Sequence, residues 1–209
     1  MTIPAPPRRN RVLVIGRSKG VLADTVALLR GKGYSAEATN EFDRVLDTFD
    51  VAALDVVVFG GMVPPDAKQR LHEQIADRNA DVSFVQGFAG IPGLIAAQVE
   101  AAVGARDRAI GVEYEPGSRS IRLRLDQPRK VAVVTWWGTR FVPPEPESTS
   151  MTVLEAALAA GSHTIALPEE VPTRASFATV SVGSSVWAFI VGAMPPGTTM
   201  AQFDDPASS

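Results

Sequence analysis

The sequence predicts an α/β domain built on a parallel sheet, followed by an all-β domain that forms an antiparallel β-sandwich. Two observations predict this order. Up to residue 104, short apolar runs alternate with segments of helical period, whereas residues 109–194 show short alternating runs separated by turn residues. The chain has 209 residues, enough for two domains of about 100 residues that each bury a core.

The first predicted domain spans residues 11–104 and contains four successive strand–helix units. The run from Arg11 to Gly16 is continuously apolar and ends in glycine, as expected of a strand buried on both faces. The elements that follow are a helix over 21–30, a strand over 34–39, a helix capped by Asn40, a strand over 55–59, a helix opened by Pro65, a strand over 81–85 and a helix over 92–103. Four such units predict a parallel sheet with helices on both faces and right-handed crossovers.

The second predicted domain spans residues 109–194 and contains seven strands. They are expected over 109–115, 120–125, 130–137, 152–158, 163–167, 176–182 and 185–191. The proline-rich stretch 142–150 is taken as a break between strands, and 152–160 also fits a short helix. Seven strands at this spacing resemble an immunoglobulin-like or fibronectin-III-like sandwich.

The two ends are expected to lie outside the domains. Residues 1–10 contain three prolines and are predicted to be a flexible lead-in, and residues 195–209 are predicted to be a tail.

Composition excludes several classes of function. The absence of cysteine excludes thiolate catalysis and cysteine-based metal sites, and His72 and His163 lack a carboxylate partner at catalytic spacing, so neither a catalytic residue nor a metal site is predicted. The net charge of −3 does not favour nucleic-acid binding. No apolar run has the length of a membrane span or the pattern of a signal peptide, so we expect a cytoplasmic protein with no membrane partner.

The third predicted strand and its continuation, residues 55–64, resemble the corresponding segment of response-regulator receiver domains in the flavodoxin-like class. The resemblance covers residues 11–103 and implies a degenerate receiver. Gly60 stands where that family has its phospho-accepting Asp, and the segment 16–18 replaces the acids that hold magnesium. Gln86 or Gly87 replaces the Thr or Ser after the fourth strand, so the resemblance implies a fold without phosphotransfer chemistry.

A weaker resemblance is to nicotinamide-dependent Rossmann proteins. Residues 16–20 close the first strand and open a helix with two glycines spaced G-x-x-x-G, and Glu41 lies about 20 residues further on, where a ribose-binding acid would lie. This resemblance implies NAD or another nucleotide as an alternative to the absence of any cofactor.

Glycine-bearing loops follow three of the predicted parallel strands. The candidate ligand-binding residues in these loops are Gly16, Arg17, Ser18, Lys19, Gly20, Gly60, Gly61, Gly87 and Gly90. Because the carboxyl ends of parallel strands meet at one edge, these loops are expected to form a phosphate or nucleotide pocket. The alternative is that the glycines only relieve strain at strand-to-helix turns.

Adjacent tryptophans mark one strand of the second domain. Neighbouring residues on a strand point to opposite faces, so one of Trp136 and Trp137 is expected to face the core and the other to pack on the other domain or another subunit.

Three functional hypotheses remain open. The first is a non-catalytic binding or assembly protein with a pseudo-receiver module, acting as a homo-oligomer (most simply a homodimer) or with a protein partner. The second is a nucleotide-binding protein or oxidoreductase that uses the glycine-rich edge. The third is a structural component of a larger bacterial assembly.

Overall fold

The computed structural model describes residues 10–88, 90–104, 107–142 and 145–194, with the backbone alone for residues 141 and 142. The predicted lead-in and tail fall outside these residues, apart from Asn10, whose carbonyl accepts a hydrogen bond from the amide of Ser35 at 3.0 Å. Within the described residues, no helix has the length and apolar character that crossing a bilayer requires.

A parallel sheet with helices on both faces forms the first unit, as predicted. Its strands are β1 (Arg11–Ile15), β2 (Ser35–Thr39), β3 (Val56–Phe59) and β4 (Ser83–Gln86), and its helices are α1 (Lys19–Gly31), α2 (Val45–Thr48), α3 (Pro65–Ala76) and α4 (Pro92–Val103). The strand order is β2-β1-β3-β4, and all three pairings are parallel. The order reverses at β1, so the crevice of the sheet lies between β1 and β3.

Burial on both faces explains why the central strands are continuously apolar. On one face, Leu13 of β1 shares a buried cluster with Leu71 of α3. On the other, Val14 shares a second cluster with Leu29 of α1 and Val99 of α4. The alternation of side chains along β1 thus supplies two cores at once.

The helix predicted after an Asn40 cap is confirmed in part: helical turns cover Phe42–Thr48 and their apolar side chains pack on the core, but Glu41 precedes the first turn and no side chain caps it. The segment forms a 3₁₀ turn over Phe42–Arg44, then the four-residue α2, then a second 3₁₀ turn over Val51–Ala53. Val45 and Val51 both point into the same core cluster from different turns. These short turns replace one continuous helix. They bring both side chains onto the sheet before β3 begins.

Two antiparallel sheets form the second unit, as predicted. The strands are β5 (Gly111–Glu115), β6 (Ser120–Leu125), β7 (Arg129–Val142), β8 (Glu145–Leu158), β9 (Gly161–Ala166), β10 (Ser176–Val182) and β11 (Ser185–Ile190). One sheet has the order β11-β10-β7-β8 and the other β5-β6-β9. Ile121 and Leu123 of β6 share a buried core with Val133 of β7 and Val180 of β10.

The predicted break over residues 142–150 is wrong, because most of that stretch belongs to a long hairpin. β7 ends at Val142 and β8 begins at Glu145, and Pro146 of β8 pairs with Phe141 of β7. Proline is tolerated there because β8 is an edge strand, whose outer side needs no amide donor. The same strand continues to Leu158, so the alternative of a helix over 152–160 is also wrong.

The two tryptophans of β7 divide between the two faces of the sheet, as predicted. Trp137 packs against the core between the sheets. Trp136 joins a separate cluster with Ile91 and Leu94 at the start of α4 and with Phe177 of β10. Its Nε1 donates a hydrogen bond to Thr179 Oγ1 at 3.0 Å, which fixes the ring on the outer face of the sheet. Helix α4 therefore packs between its own parallel sheet and the sheet of the second unit.

Gly93 is the point of closest approach between α4 and Trp136. A Cβ at Gly93 would lie 2.4 Å from two atoms of the Trp136 ring, whereas a Cβ at Gly31, at the end of α1, would meet nothing within 4 Å. We predict that Gly93→Ala lowers the free energy of unfolding by about 1–3 kcal/mol through overpacking. Gly31→Ala is the matched control and should be neutral or stabilising by up to about 1 kcal/mol.

Urea unfolding followed by tryptophan fluorescence measures both variants. A Gly93→Ala protein as stable as the Gly31→Ala protein would contradict this packing of α4.

Candidate functional site

The glycine loops after β1, β3 and β4 meet at the carboxyl edge of the parallel sheet. The amide of Gly60 donates to the carbonyl of Ile15 at 2.8 Å, and the amide of Gly87 donates to the carbonyl of Phe59 at 2.8 Å. A Cβ at Gly60 would lie 3.4 Å from the Cα of Gly16, and a Cβ at Gly61 would lie 3.9 Å from the carbonyl oxygen of Gly87. The loops are therefore in contact, and glycine permits the approach of the β1 and β3 loops.

Helix α1 begins at this edge, and its first turn holds a carboxylate. Ser18 is 3% exposed and caps the helix, with its Oγ accepting the amide of Val21 at 3.0 Å. The same hydroxyl donates to Oε2 of Glu145, and the amide of Lys19 donates to Oε1 of Glu145 at 3.1 Å. The carboxylate satisfies the free amide of Lys19 at the helix start and interacts favourably with the helix dipole.

Glu145 reaches α1 because it lies at the tip of the β7–β8 hairpin. The tip also contacts the glycines of neighbouring turns. A Cβ at Gly20 would lie 2.8 Å from Glu145 Oε2, and a Cβ at Gly90, which has a φ of 62°, would lie 2.9 Å from Pro146 Cγ. The hairpin thus covers the α1 side of the predicted binding edge with residues of the same chain.

Arg17 and Lys19 have exposed side chains, unlike Ser18. Lys19 lines an open cavity of about 340 Å³ between α1 and the end of β2. The other lining residues are Leu22, Ala23, Val26, Ala38, Thr39 and Asn40. Thr39 Oγ1 accepts the amide of Glu41 at 3.0 Å, and the Glu41 carboxylate pairs with Arg44 at 3.2 Å.

A second polar group lies on the β4 side of the same edge. Lys68 of α3 donates to Gln86 Oε1, and Gln86 Nε2 donates to the carbonyl of Phe59 at 3.0 Å. Gln98 of α4 donates to the carbonyl of Gln86 at 2.8 Å and accepts the amide of Phe88 at 3.1 Å. The partner of the Lys68 ammonium is thus a neutral amide, and burial lowers the pKa of Lys68.

The polar groups described at this edge are engaged in hydrogen bonds within the chain. Among the residues that the structure describes, no three Asp, Glu or His side chains form a group able to hold a metal ion. The donors of the Ser18 turn bind one carboxylate, and the Lys68 ammonium faces an amide. Sequence reasoning identified the glycine loops but missed Glu145, Lys68 and Gln98.

Comparison with known proteins gives no further assignment. The chain matches no protein-family model, and no curated protein shows significant similarity to its sequence.

We predict that Glu145→Ala loosens the hairpin tip, because charge-assisted hydrogen bonds contribute about 1.5–3 kcal/mol. Arg140 lies close to the tip and its side chain is 67% exposed, so trypsin cleavage after it reports opening of the hairpin. Cleavage should accelerate by about tenfold or more.

The matched control is Glu155→Ala, which removes only an exposed pair with Lys130 on the same hairpin. The Arg140 cleavage product, followed by mass spectrometry, should form at the wild-type rate in this control. Equal rates in both variants would show that Glu145 does not hold the tip.

The lowered pKa of Lys68 predicts a pH-dependent stability difference. In the unfolded chain Lys68 has its usual pKa of 10.5, so it keeps its proton up to about that pH. The folded protein releases the Lys68 proton at a lower pH, because its pKa is lowered. Wild type should therefore gain stability relative to Lys68→Met as pH rises through the range between these two pKa values. Melting temperatures from neutral pH to about pH 10 test this, and a difference between the two proteins that does not change with pH would contradict it.

Proposed function

We propose that this protein is a non-catalytic binding and assembly protein whose first domain is a receiver-like module without phosphotransfer chemistry. The observation that carries the proposal is the hairpin tip at the sheet edge. The donors of the α1 turn, which would receive a phosphate or nucleotide, hold the carboxylate of Glu145. Because the Glu145 carboxylate occupies these donors, they are not available to the anion of a substrate.

The strand order supports the receiver-like interpretation. The order β2-β1-β3-β4 is that of the first four strands of flavodoxin-like sheets, the class to which receivers belong. Gly60 directly follows β3, at the position of the receiver phospho-acceptor, and Gln86 ends β4, at the position of the receiver hydroxyl residue. Neither side chain can form an acyl phosphate, since that step requires a carboxylate nucleophile.

The β domain supplies a surface for assembly. Three strands face four, which supports a fibronectin-III-like sandwich, and β8 forms an edge with β7 as its one neighbour in the sheet. None of the residues of β8 is fully buried. The segment Ser148–Thr152 carries no charge and no proline, and it lies between Pro146 and a register shift opposite Val133 and Val134. Such an edge favours antiparallel pairing with a second copy of the chain.

We predict a homodimer that dissociates on dilution, since a short paired segment gives a weak interface. Ser150→Lys places a charge on the exposed edge and should shift the protein to monomer in light scattering after size-exclusion chromatography. Gln127→Lys, in the exposed turn between β6 and β7, is the control with the same charge change and should leave the dimer intact. A wild-type monomer at high concentration would refute pairing through β8.

A nucleotide-binding function is the second candidate, and one observation favours it. The cavity beside Lys19 is lined by Thr39 and Asn40 at the end of β2, where Rossmann-like proteins hold a ribose. Selective binding to the native state raises the melting temperature.

Thermal shift with NAD, NADP, ATP and FMN separates the two functions. The proposed function predicts no shift with these nucleotides and no phosphoryl adduct after incubation with acetyl phosphate. A rise of several degrees with one nucleotide would replace the proposed function by the second candidate.

A further inference from the structure

The β domain contains a cavity that none of the functions above uses. It has a volume of about 360 Å³ and is open to solvent. It lies between the β5–β6 turn, the segment before β10 and the end of β11. Its lining residues are Tyr114, Pro116, Arg119, Thr173, Ile190, Val191, Gly192 and Ala193. This volume lies in the range of small-molecule binding sites.

Arg119 is the charged residue of the lining, and no carboxylate of the described residues pairs with it. Its Nη2 donates to the carbonyl of Val171 at 2.6 Å and to that of Pro172 at 3.4 Å. Its Nε is buried without a hydrogen-bond partner among the described residues. Arg122 and Arg129, by contrast, each pair with two acids. The backbone carbonyls hold the Arg119 guanidinium in place and leave its positive charge without a counterion.

Backbone strain is concentrated around the same cavity. Within the described residues, the non-glycine residues with positive φ are Arg119, at 46°, and Ala175, at 49°. The amide of Ala175 donates to the carbonyl of Ala193, a lining residue, at 3.0 Å. A Cβ at Gly192 would lie 2.5 Å from Ser176 Oγ, so this wall requires glycine. Strained residues persist where the surrounding structure holds them, and they cluster at binding and catalytic sites.

The remaining walls are mostly apolar. The Tyr114 hydroxyl donates to the carbonyl of Val191 at 2.9 Å, which satisfies its polar atom and holds the tyrosine against the end of β11. Pro116, Ile190 and Ala193 add apolar surface, and Thr173 adds a hydroxyl. Apolar walls with a few fixed polar groups are typical of sites for small organic ligands.

We propose that this cavity binds a small organic monocarboxylate, with Arg119 as the group that recognises the carboxylate. One guanidinium neutralises one negative charge, and Nη1 is the donor left for a carboxylate, because Nη2 donates to the carbonyls and Nε is buried. The apolar walls favour a ligand that carries an alkyl or aryl group. A phosphate would bring a second charge that no other cation of the lining neutralises.

Phenylacetate is the probe, and the amide and side-chain signals of ¹⁵N-labelled protein are the readout. The Arg119 Nε–H and the Gly192 amide should shift saturably with a dissociation constant of about 1 mM. Phenylacetamide, which has the same shape and no charge, should bind at least about tenfold more weakly. Inorganic phosphate should produce no saturable shift.

Two variants and one control localise the site. Arg119→Gln should weaken phenylacetate binding by about tenfold or more, and Arg124→Gln, which removes the same charge from an exposed position of β6, should leave it unchanged. Ala193→Phe fills the cavity and keeps Arg119, so it should also weaken phenylacetate binding. It tests the site independently if the Arg119→Gln protein does not fold.

Three results would overturn the proposal. They are the absence of saturable shifts at about 10 mM phenylacetate, equal binding of phenylacetamide, and unchanged binding by the folded Arg119→Gln or Ala193→Phe protein.

Discussion

The packing of α4 between two sheets is the constraint on which the rest of the structure depends. Its residues Ile95 and Val99 complete the core of the parallel sheet, while Ile91 and Leu94 pack with Phe177 of the β domain. Each fully buried side chain of this kind contributes about 1.5–3 kcal/mol. Because both flanks of the helix are covered, the glycine-rich edge and the β7–β8 hairpin come to lie side by side.

That packing also explains an unusual feature of the sequence of α4. A helix covered on one side shows a polar stripe, whereas the run from Leu94 to Val99 is buried throughout. Gln98 is the polar member of this run, and both ends of its amide bond backbone groups, at the end of β4 and in the loop that follows it. A buried amide with satisfied hydrogen bonds holds that loop at modest cost.

Much of the fold followed from the sequence because its signals are local. The apolar run of β1, the proline that opens α3 and the alternation along β6 are each decided by residues close in the chain. The prediction was incomplete over 40–49, where short turns replace one continuous helix, and wrong over 142–150, where an edge strand accepts proline. In both places tertiary position overrode local propensity.

The candidate sites were less predictable because they are assembled from distant residues. Ser18 and Glu145 are 127 positions apart, and nothing in the sequence around Glu145 indicates that it reaches a helix terminus. Arg119 precedes an ordinary alternating strand, so the local sequence does not mark it. The Arg119 side chain is held by hydrogen bonds to the carbonyls of Val171 and Pro172, more than 50 positions away. The glycine loops were visible because a strand followed by glycine is a local pattern.

The contact at the hairpin tip couples the two halves of the sequence. Glu145 and Pro146 fit Ser18, Gly20 and Gly90 closely, so a change on either side of this contact must be matched on the other. The two halves are therefore expected to vary together across evolution, and a chimera that joins the first half to a foreign sandwich would leave the α1 turn without its carboxylate.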